Sequence, residues 1–230
     1  MAPGATPVEK PVAVLFDIDE TLIHTGGAGA RSWTKAFRKL YDIPADIGQH
    51  TSAGETDPQV ATATFRGVLG RDPSPDELGR LYAEYLQALS EEIWASKDYR
   101  VLPGAEDTLV RLARAGVLLG IVSGAMEGAA RTKLIPANLN RFFVFGGYGS
   151  DSPDRAELTE QAIGRAARLH GELTAAQVFV VGDTPRDIEA AQAAGAVSVG
   201  VASGHFSTKE LAAADGDHVL GSLEDPFPGL

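Results

Sequence analysis

Two aspartates, Asp17 and Asp19, stand with a single residue between them at the end of the apolar run Val12 to Phe16, in VAVLFDIDETL. An uninterrupted apolar run rich in β-branched and aromatic side chains reads as a strand buried on both faces, as in parallel sheets. Ligands of open α/β sheets bind beyond the carboxyl ends of such strands. The two-residue period at the strand tip sends Asp17 and Asp19 the same way. Like charges this close raise each other's pKa unless a cation or a shared proton compensates. A divalent metal site that does chemistry is the simplest explanation.

Other groups able to hold a metal or an anion recur where further strands end. Val117 to Val122 leads into Ser123-Gly124, a hydroxyl and a permissive backbone at the turn into a helix, which suits an anion. Arg155 stands at a helix start, where a cation is unfavourable without an anionic partner. Val178 to Val181 leads into Gly182-Asp183-Thr184-Pro185-Arg186-Asp187, placing Asp183 and Asp187 on one face of the opening helix turn. Alone, each is compatible with an ordinary turn or helix cap. Together, four aspartates, a hydroxyl and a guanidinium supply the hard oxygen ligands and the bidentate donor that phosphoryl binding requires.

The elements that must position these groups alternate along the chain. Helices are expected over Ala105 to Ala115, Glu127 to Leu134, Arg155 to His170, Pro185 to Ala194 and Thr208 to Ala214. Strands are expected over Val117 to Val122, Phe142 to Phe145, Gln177 to Val181, Val197 to Val201 and His218 to Leu220. This alternation predicts an α/β fold, a doubly wound parallel sheet with right-handed crossovers. After the first strand, Ala30 to Tyr41, Asp57 to Leu69 and Ser74 to Trp94 carry helical periodicity with almost no strand signal. Ser74 and Glu77 make a capping box, with Pro75 at the first helical position. We therefore expect an α/β core (residues 1–23 and 99–230) with an inserted all-helical domain (24–98), hinged at the turn Gly26 to Gly29. Trp33, Phe37, Tyr41, Tyr82, Tyr85 and Trp94 recur at helical spacing and are expected to fill the core of that insertion.

Composition narrows the class. With 230 residues, 44% of them hydrophobic, the chain can bury a full core. It has no cysteine, which excludes disulfides, thiolate metal sites and cysteine nucleophiles and fits a cytoplasmic location. The polar segment Met1 to Pro11 lacks the basic start and apolar core of a signal peptide, and no stretch approaches the length of a membrane span. A formal net charge of −11 argues against non-specific nucleic-acid binding, which needs clustered Lys and Arg.

In order and in placement at strand ends, LFDIDET, VSG, Arg155 and GDTPRD resemble the four motifs of the haloacid dehalogenase-like hydrolases. The resemblance covers nearly the whole chain, helical insertion included. It looks most like the small-molecule phosphatases related to phosphoglycolate phosphatase, whose substrate-specificity loop is similar to Thr51-Ser52-Ala53-Gly54-Glu55-Thr56-Asp57. It implies a Rossmann-like core with a cap, acting as monomer or homodimer on a small phosphorylated metabolite through an aspartyl-phosphate, with Mg2+. It also implies roles: Asp17 as nucleophile and Asp19 as general acid and then base, with Asp17, the Asp19 carbonyl and Asp183 around the metal and Asp187 in support. Ser123, the Gly124 amide and Arg155 would hold the phosphoryl oxygens, and Thr21 would orient the first motif by a hydrogen bond. His24, His50, Thr51, Gly54, Glu55 and Thr56 are the cap-side candidates for substrate recognition. Lys133 has the charge of a phosphate ligand but falls in the wrong interval.

Glu20 follows Asp19 where relatives of this branch usually have glycine. It adds bulk and negative charge at the cleft mouth, which narrows the leaving-group pocket or favours a cationic or hydroxylated substrate, and counts against phosphoglycolate. Arginine at position 155, where many relatives use lysine, keeps the charge and changes the geometry. A phosphomutase of the β-phosphoglucomutase type shares every core motif. A phosphonatase would need a cap lysine, and Lys35, Lys39 and Lys97 read as solvated. A 2-haloacid dehalogenase attacks carbon and needs no acid at Asp19, and a non-catalytic binding module would not need Asp17 and Asp19 intact.

Overall fold

A computed structural model describes residues 10–230; residues 1–9, most of the polar segment Met1 to Pro11, lie outside the described residues. Strand β1 (Ala13–Phe16) is followed by a two-residue strand β2 (Ile23–His24), helices α1 (Ala28–Tyr41), α2 (Asp57–Leu69) and α3 (Pro75–Ala95), and a second two-residue strand β3 (Arg100–Val101). The alternating part then runs α4 (Ala105–Arg114), β4 (Leu118–Ser123), α5 (Glu127–Leu134), β5 (Phe145–Tyr148), α6 (Arg155–His170) and β6 (Val178–Gly182). It ends with α7 (Pro185–Ala193), β7 (Val197–Val201), α8 (Thr208–Ala213) and β8 (His218–Leu220). The main sheet is ordered β5-β4-β1-β6-β7-β8 with every pairing parallel, the expected doubly wound arrangement. The order reverses between β1 and β6, so the ligand crevice lies at the carboxyl ends of those two strands.

Strand β1 shows why its apolar run is continuous. Val14 and Phe16 face one apolar cluster and Ala13 and Leu15 the other, so both faces are buried. The first cluster extends from the sheet into the helices after β1, reaching Trp33, Phe37, Phe65 and Tyr85. Trp33 and Tyr85 stack with ring centroids 4.0 Å apart. Trp94, expected in that core, is instead 64% exposed. The buried stripe of α3 is Leu81, Tyr85, Ala88, Leu89 and Ile93, and the next residue is turned off it by the helical period. Among the described residues no helix is long and apolar enough to cross a membrane.

The sequence pattern misplaces one strand. Phe142 to Phe145 reads as a strand, but Leu139–Phe142 is a 3-10 turn entered through Asn138 in the left-handed region (φ 54°), and β5 is Phe145–Tyr148. Its centre is Gly146-Gly147, which propensity argues against. Gly147 is needed because α6 packs directly on this strand, where a Cβ would overlap the Leu158 carbonyl of α6; a Cβ at Gly146 would press on the Tyr148 ring and the Ile121 carbonyl of β4. A Gly147→Ala substitution is therefore expected to destabilise the protein by about 1–3 kcal/mol through overpacking, read as a lower midpoint in urea with an unchanged slope.

The antiparallel ribbon of β2 and β3 was also not foreseen, since two-residue strands carry no periodicity. Ser74 and Glu77 form the expected capping box on α3. Helix α1 starts at Ala28 rather than Ala30, because only Gly26 and Gly27 take the left-handed backbone while Gly29 is already helical.

Candidate active site

Three strand ends deliver the groups that the motifs single out. Asp17 directly follows β1, Ser123 is the last residue of β4, and Asp183 directly follows β6. Arg155 opens α6 and reaches back over the sheet edge. Its Nε and Nη2 donate to Asp187 Oδ1 at 2.9 and 2.5 Å, Nη2 also donates to Asp17 Oδ1 at 3.0 Å, and Nη1 donates to the Gly54 carbonyl at 3.1 Å. The other Asp187 oxygen accepts from the Thr184 N–H and hydroxyl at 3.0 and 2.7 Å. Asp187 thus holds Arg155 in place. Gly124 is where the loop before α2 comes down on the core: a Cβ there would lie 2.9 Å from the Glu55 carbonyl and 3.1 Å from Arg155 Nη1.

One cleft collects Asp17, Asp19, Glu20, Gly54, Glu55, Ser123, Gly124, Arg155 and Asp183 among its lining residues. Five expected residues are not cleft residues: Thr21, Thr56, Thr51, His50 and His24. Thr21 is fully buried and its hydroxyl has no hydrogen-bond partner among the described residues, so it does not orient the first motif as expected. Thr56 is absorbed in structure: it caps α2 in a capping box with Gln59, and its hydroxyl donates to the Pro153 carbonyl at 3.1 Å. Thr51 donates to the Ile47 carbonyl at 2.8 Å, and the His50 ring packs over Gly67; neither lines the cleft. His24 lies on β2 behind the cleft wall, its Nδ1 2.6 Å from Glu20 Oε1.

Lys133 is a correction in the other direction. It is buried, lines the cleft, and donates to Asp19 Oδ2 at 2.5 Å. Burial works against its charge, yet Asp19, Tyr85 and Asp57 outweigh it and keep the ammonium charged. Asp57, the first residue of α2, was also missed as a cleft residue. Its N–H donates to the Gly124 carbonyl at 2.7 Å and its Oδ2 accepts from the Met126 N–H at 2.8 Å. Burial pushes the Asp57 carboxyl up to about 6 against the pull of Lys133. A signal for Lys133 existed: on α5 it shares a face with the buried Ala129, Ala130 and Leu134, where a lysine has no reason to be unless paired. His205, in the loop after β7, completes that wall.

The acidic cluster has the chemistry of a divalent-metal site. Oxygens of Asp17, Asp183 and Asp187 lie within 4.8 Å of one another, all three residues buried. The Asp183 carboxylate accepts no hydrogen bond from the described residues, although it is 3% exposed. Burial, with Asp17, Asp187 and Glu20 nearby, pushes Asp183 up to about 9. Burial, opposed by Arg155 and reinforced by Asp187 and Asp19, pushes Asp17 up to about 7. A hard cation fits this donor set, with Asp17 and Asp183 free to hold it and Asp187 committed to Arg155 and Thr184.

Linkage gives a test. Folded-state pKa values raised above the unfolded value of 3.8 mean that the metal-free fold binds extra protons. That contribution is fully present below about pH 4 and is lost as pH rises through about 7 and then about 9. Chelated protein is expected to lose thermal stability over that window. Mg2+ at a hundredfold excess over its Kd should restore about 2.7 kcal/mol, or about 5–10 °C in Tm, with more effect at high pH than at low.

The model of the haloacid dehalogenase-like hydrolases matches residues 12–195. The chain belongs to that family. A phosphoglycolate phosphatase from Salmonella paratyphi A is 28% identical over 240 residues, covering 94% of this chain and 91% of its own. A crystal structure described as a predicted phosphoglycolate phosphatase from Haemophilus somnus superposes with a TM-score of 0.72 at 19% identity, covering 93% and 95% of the two chains. A Bacteroides vulgatus structure provisionally named a beta-phosphoglucomutase superposes with a TM-score of 0.66 at 21% identity, covering 95% and 86%. The family's hydrolases thus share the fold, and the phosphoglycolate phosphatase-like branch shares the sequence.

Proposed function

We propose that this hydrolase is a Mg2+-dependent, cytoplasmic phosphatase of small phosphomonoesters that works through an aspartyl-phosphate on Asp17. The observation that carries the reading is the division between the two carboxylates of the first motif. The Asp17 side chain is 9% exposed and fixed by Arg155, whereas the Asp19 side chain is 41% exposed at the cleft and, among the described residues, tied to Lys133 alone. The first suits an anchored nucleophile and the second a group that exchanges protons with substrate and water.

In the first step the Asp17 oxygen not held by Arg155 bonds to phosphorus as the bond to the leaving oxygen breaks, and that oxygen takes the Asp19 proton. In the second step Asp19 removes a proton from water, whose oxygen attacks the same phosphorus. Inorganic phosphate leaves and the Asp17 carboxylate is regenerated. Arg155, the Ser123 hydroxyl and the Gly124 N–H surround the transferring group with donors at the site where charge develops. Asp17, Asp183 and the Asp19 carbonyl would hold Mg2+, which would relieve the carboxylate repulsion and shield the approach of one anion to another. The helical segment 24–98 serves as the cap, its loop at Gly54 and Glu55 closing the cleft and excluding water.

Relatives named phosphoglycolate phosphatase support the reaction type. The phosphonatase alternative finds no cap lysine at the cleft: Lys35 and Lys39 are exposed and paired with Glu92 and Glu84, and Lys97 is exposed. The test is a screen of phosphate release from small phosphomonoesters with Mg2+ or chelator, with hexose phosphates included. Mg2+-dependent release is the expected result; isomerised sugar phosphate without release would favour the phosphomutase, and release that persists in chelator would contradict the proposal.

A further inference from the structure

We infer that Glu20 selects the leaving group: it admits neutral or cationic alcohols that carry an N–H or O–H donor and turns away carboxylated ones. The inference rests on the phosphatase reading and names its substrate class. Glu20 has φ 59°, in the left-handed region that a glycine would occupy without strain. Three contacts hold it there. Its N–H donates to the Ile23 carbonyl at 2.8 Å, its carbonyl accepts from the Ser203 hydroxyl at 2.6 Å, and its Oε1 sits 2.6 Å from His24 Nδ1. With Oε1 engaged by His24, Oε2 has no hydrogen-bond partner among the described residues, and Glu20 lines the cleft together with Asp19.

The cations that line the cleft are already committed. Lys133 is bonded to Asp19, and Arg155 to Asp17 and Asp187. Glu55, on the cap side, is paired with Arg186 at 3.6 Å and accepts from the Ser52 hydroxyl at 2.9 Å. A phosphomonoester whose leaving alcohol bears a carboxylate would set that charge against Glu20 with Lys133 and Arg155 already paired, leaving the neighbouring His205 ring as its one donor among the described lining side chains that carry or can take a positive charge, whereas an amine or hydroxyl donates to Oε2. Rejection by like charge is a specificity device in its own right.

The experiment compares kcat/KM for phosphoglycolate, glycerol phosphate and phosphoethanolamine, with p-nitrophenyl phosphate as reference, in the wild type and in Glu20→Gly and Glu20→Gln. The wild type is expected to disfavour phosphoglycolate by about tenfold or more against the other two aliphatic esters, and both variants to shrink that ratio by about tenfold. Glu20→Gln keeps the shape and the backbone conformation, so the same shift in both variants assigns the effect to charge. A wild type that prefers phosphoglycolate, or ratios unchanged in both variants, would overturn the inference while leaving the phosphatase reading intact. No hydrolysis of any ester, the nitrophenyl reference included, would overturn that reading and this inference together.

Discussion

An Asp17→Asn variant is expected to fold, to melt no lower than the wild type in the absence of metal, and to release phosphate more than about 10³-fold more slowly. The amide keeps the shape of the carboxyl but is not a nucleophile, and covalent catalysis cannot be carried by its neighbours. The stability half of this expectation follows from electrostatics. Asp17 is buried beside Asp19, Asp183 and Asp187, and burial and like charge have already raised its pKa to about 7. Removing its charge relieves repulsion, and Arg155 keeps its bonds to Asp187. Parallel thermal melts and phosphate-release assays check both halves. A variant that loses activity by unfolding would leave the chemical assignment without support.

Replacing Arg155 has the opposite signature, since function and fold should fail together. In Arg155→Leu, Asp17 and Asp187 remain buried and lose the one guanidinium that pairs with them among the described residues. Breaking a buried pair by removing one partner costs about 3–5 kcal/mol, which corresponds to a fall in Tm of about 6–20 °C. Loss of a donor to the transferring group should slow turnover by about 10²-fold or more. Arg155→Lys separates charge from geometry. One ammonium cannot reach Asp187, Asp17 and the Gly54 carbonyl in the planar fork seen here, so an intermediate loss in both Tm and rate is expected. Full activity and stability in Arg155→Lys would show that the fork geometry does not matter. Mg2+ should recover part of the stability of Arg155→Leu, because it offsets the same carboxylates.

These residues could be read from the sequence because apolar strand runs end abruptly in charge. The positions of Asp17, Ser123 and Asp183 at strand tips follow from that pattern, and the switch point between β1 and β6 brings them together. Lys133 and Asp57 come from helix faces instead, and where a helix face docks depends on tertiary packing that no local pattern encodes. Thr56 illustrates a chemical ambiguity: a hydroxyl before a helix serves a cap or a ligand equally well, and here the cap takes it. Strand β5 falls later than the pattern predicts because Gly146 and Gly147, required by the close approach of Tyr148 and β4 at the first and of α6 at the second, are residues that strand propensity counts against. The role of Glu20 sits between these cases. Its charge is visible in the sequence, but its left-handed backbone and its pairing with His24 appear only in the fold.

In the proposed reaction phosphorus becomes covalently bound to Asp17. Asp19→Asn should slow the second step while an activated ester, acetyl phosphate or p-nitrophenyl phosphate, still phosphorylates the enzyme. Acid quench of this variant with radiolabelled phosphoryl donor, followed by peptide mapping, is the most direct test. The expected result is a hydroxylamine-labile label on the peptide holding Asp17, absent from the Asp17→Asn, Asp19→Asn double variant. Label on Ser123 or on a histidine, or turnover by the wild type with no labelled enzyme in either protein, would contradict the account.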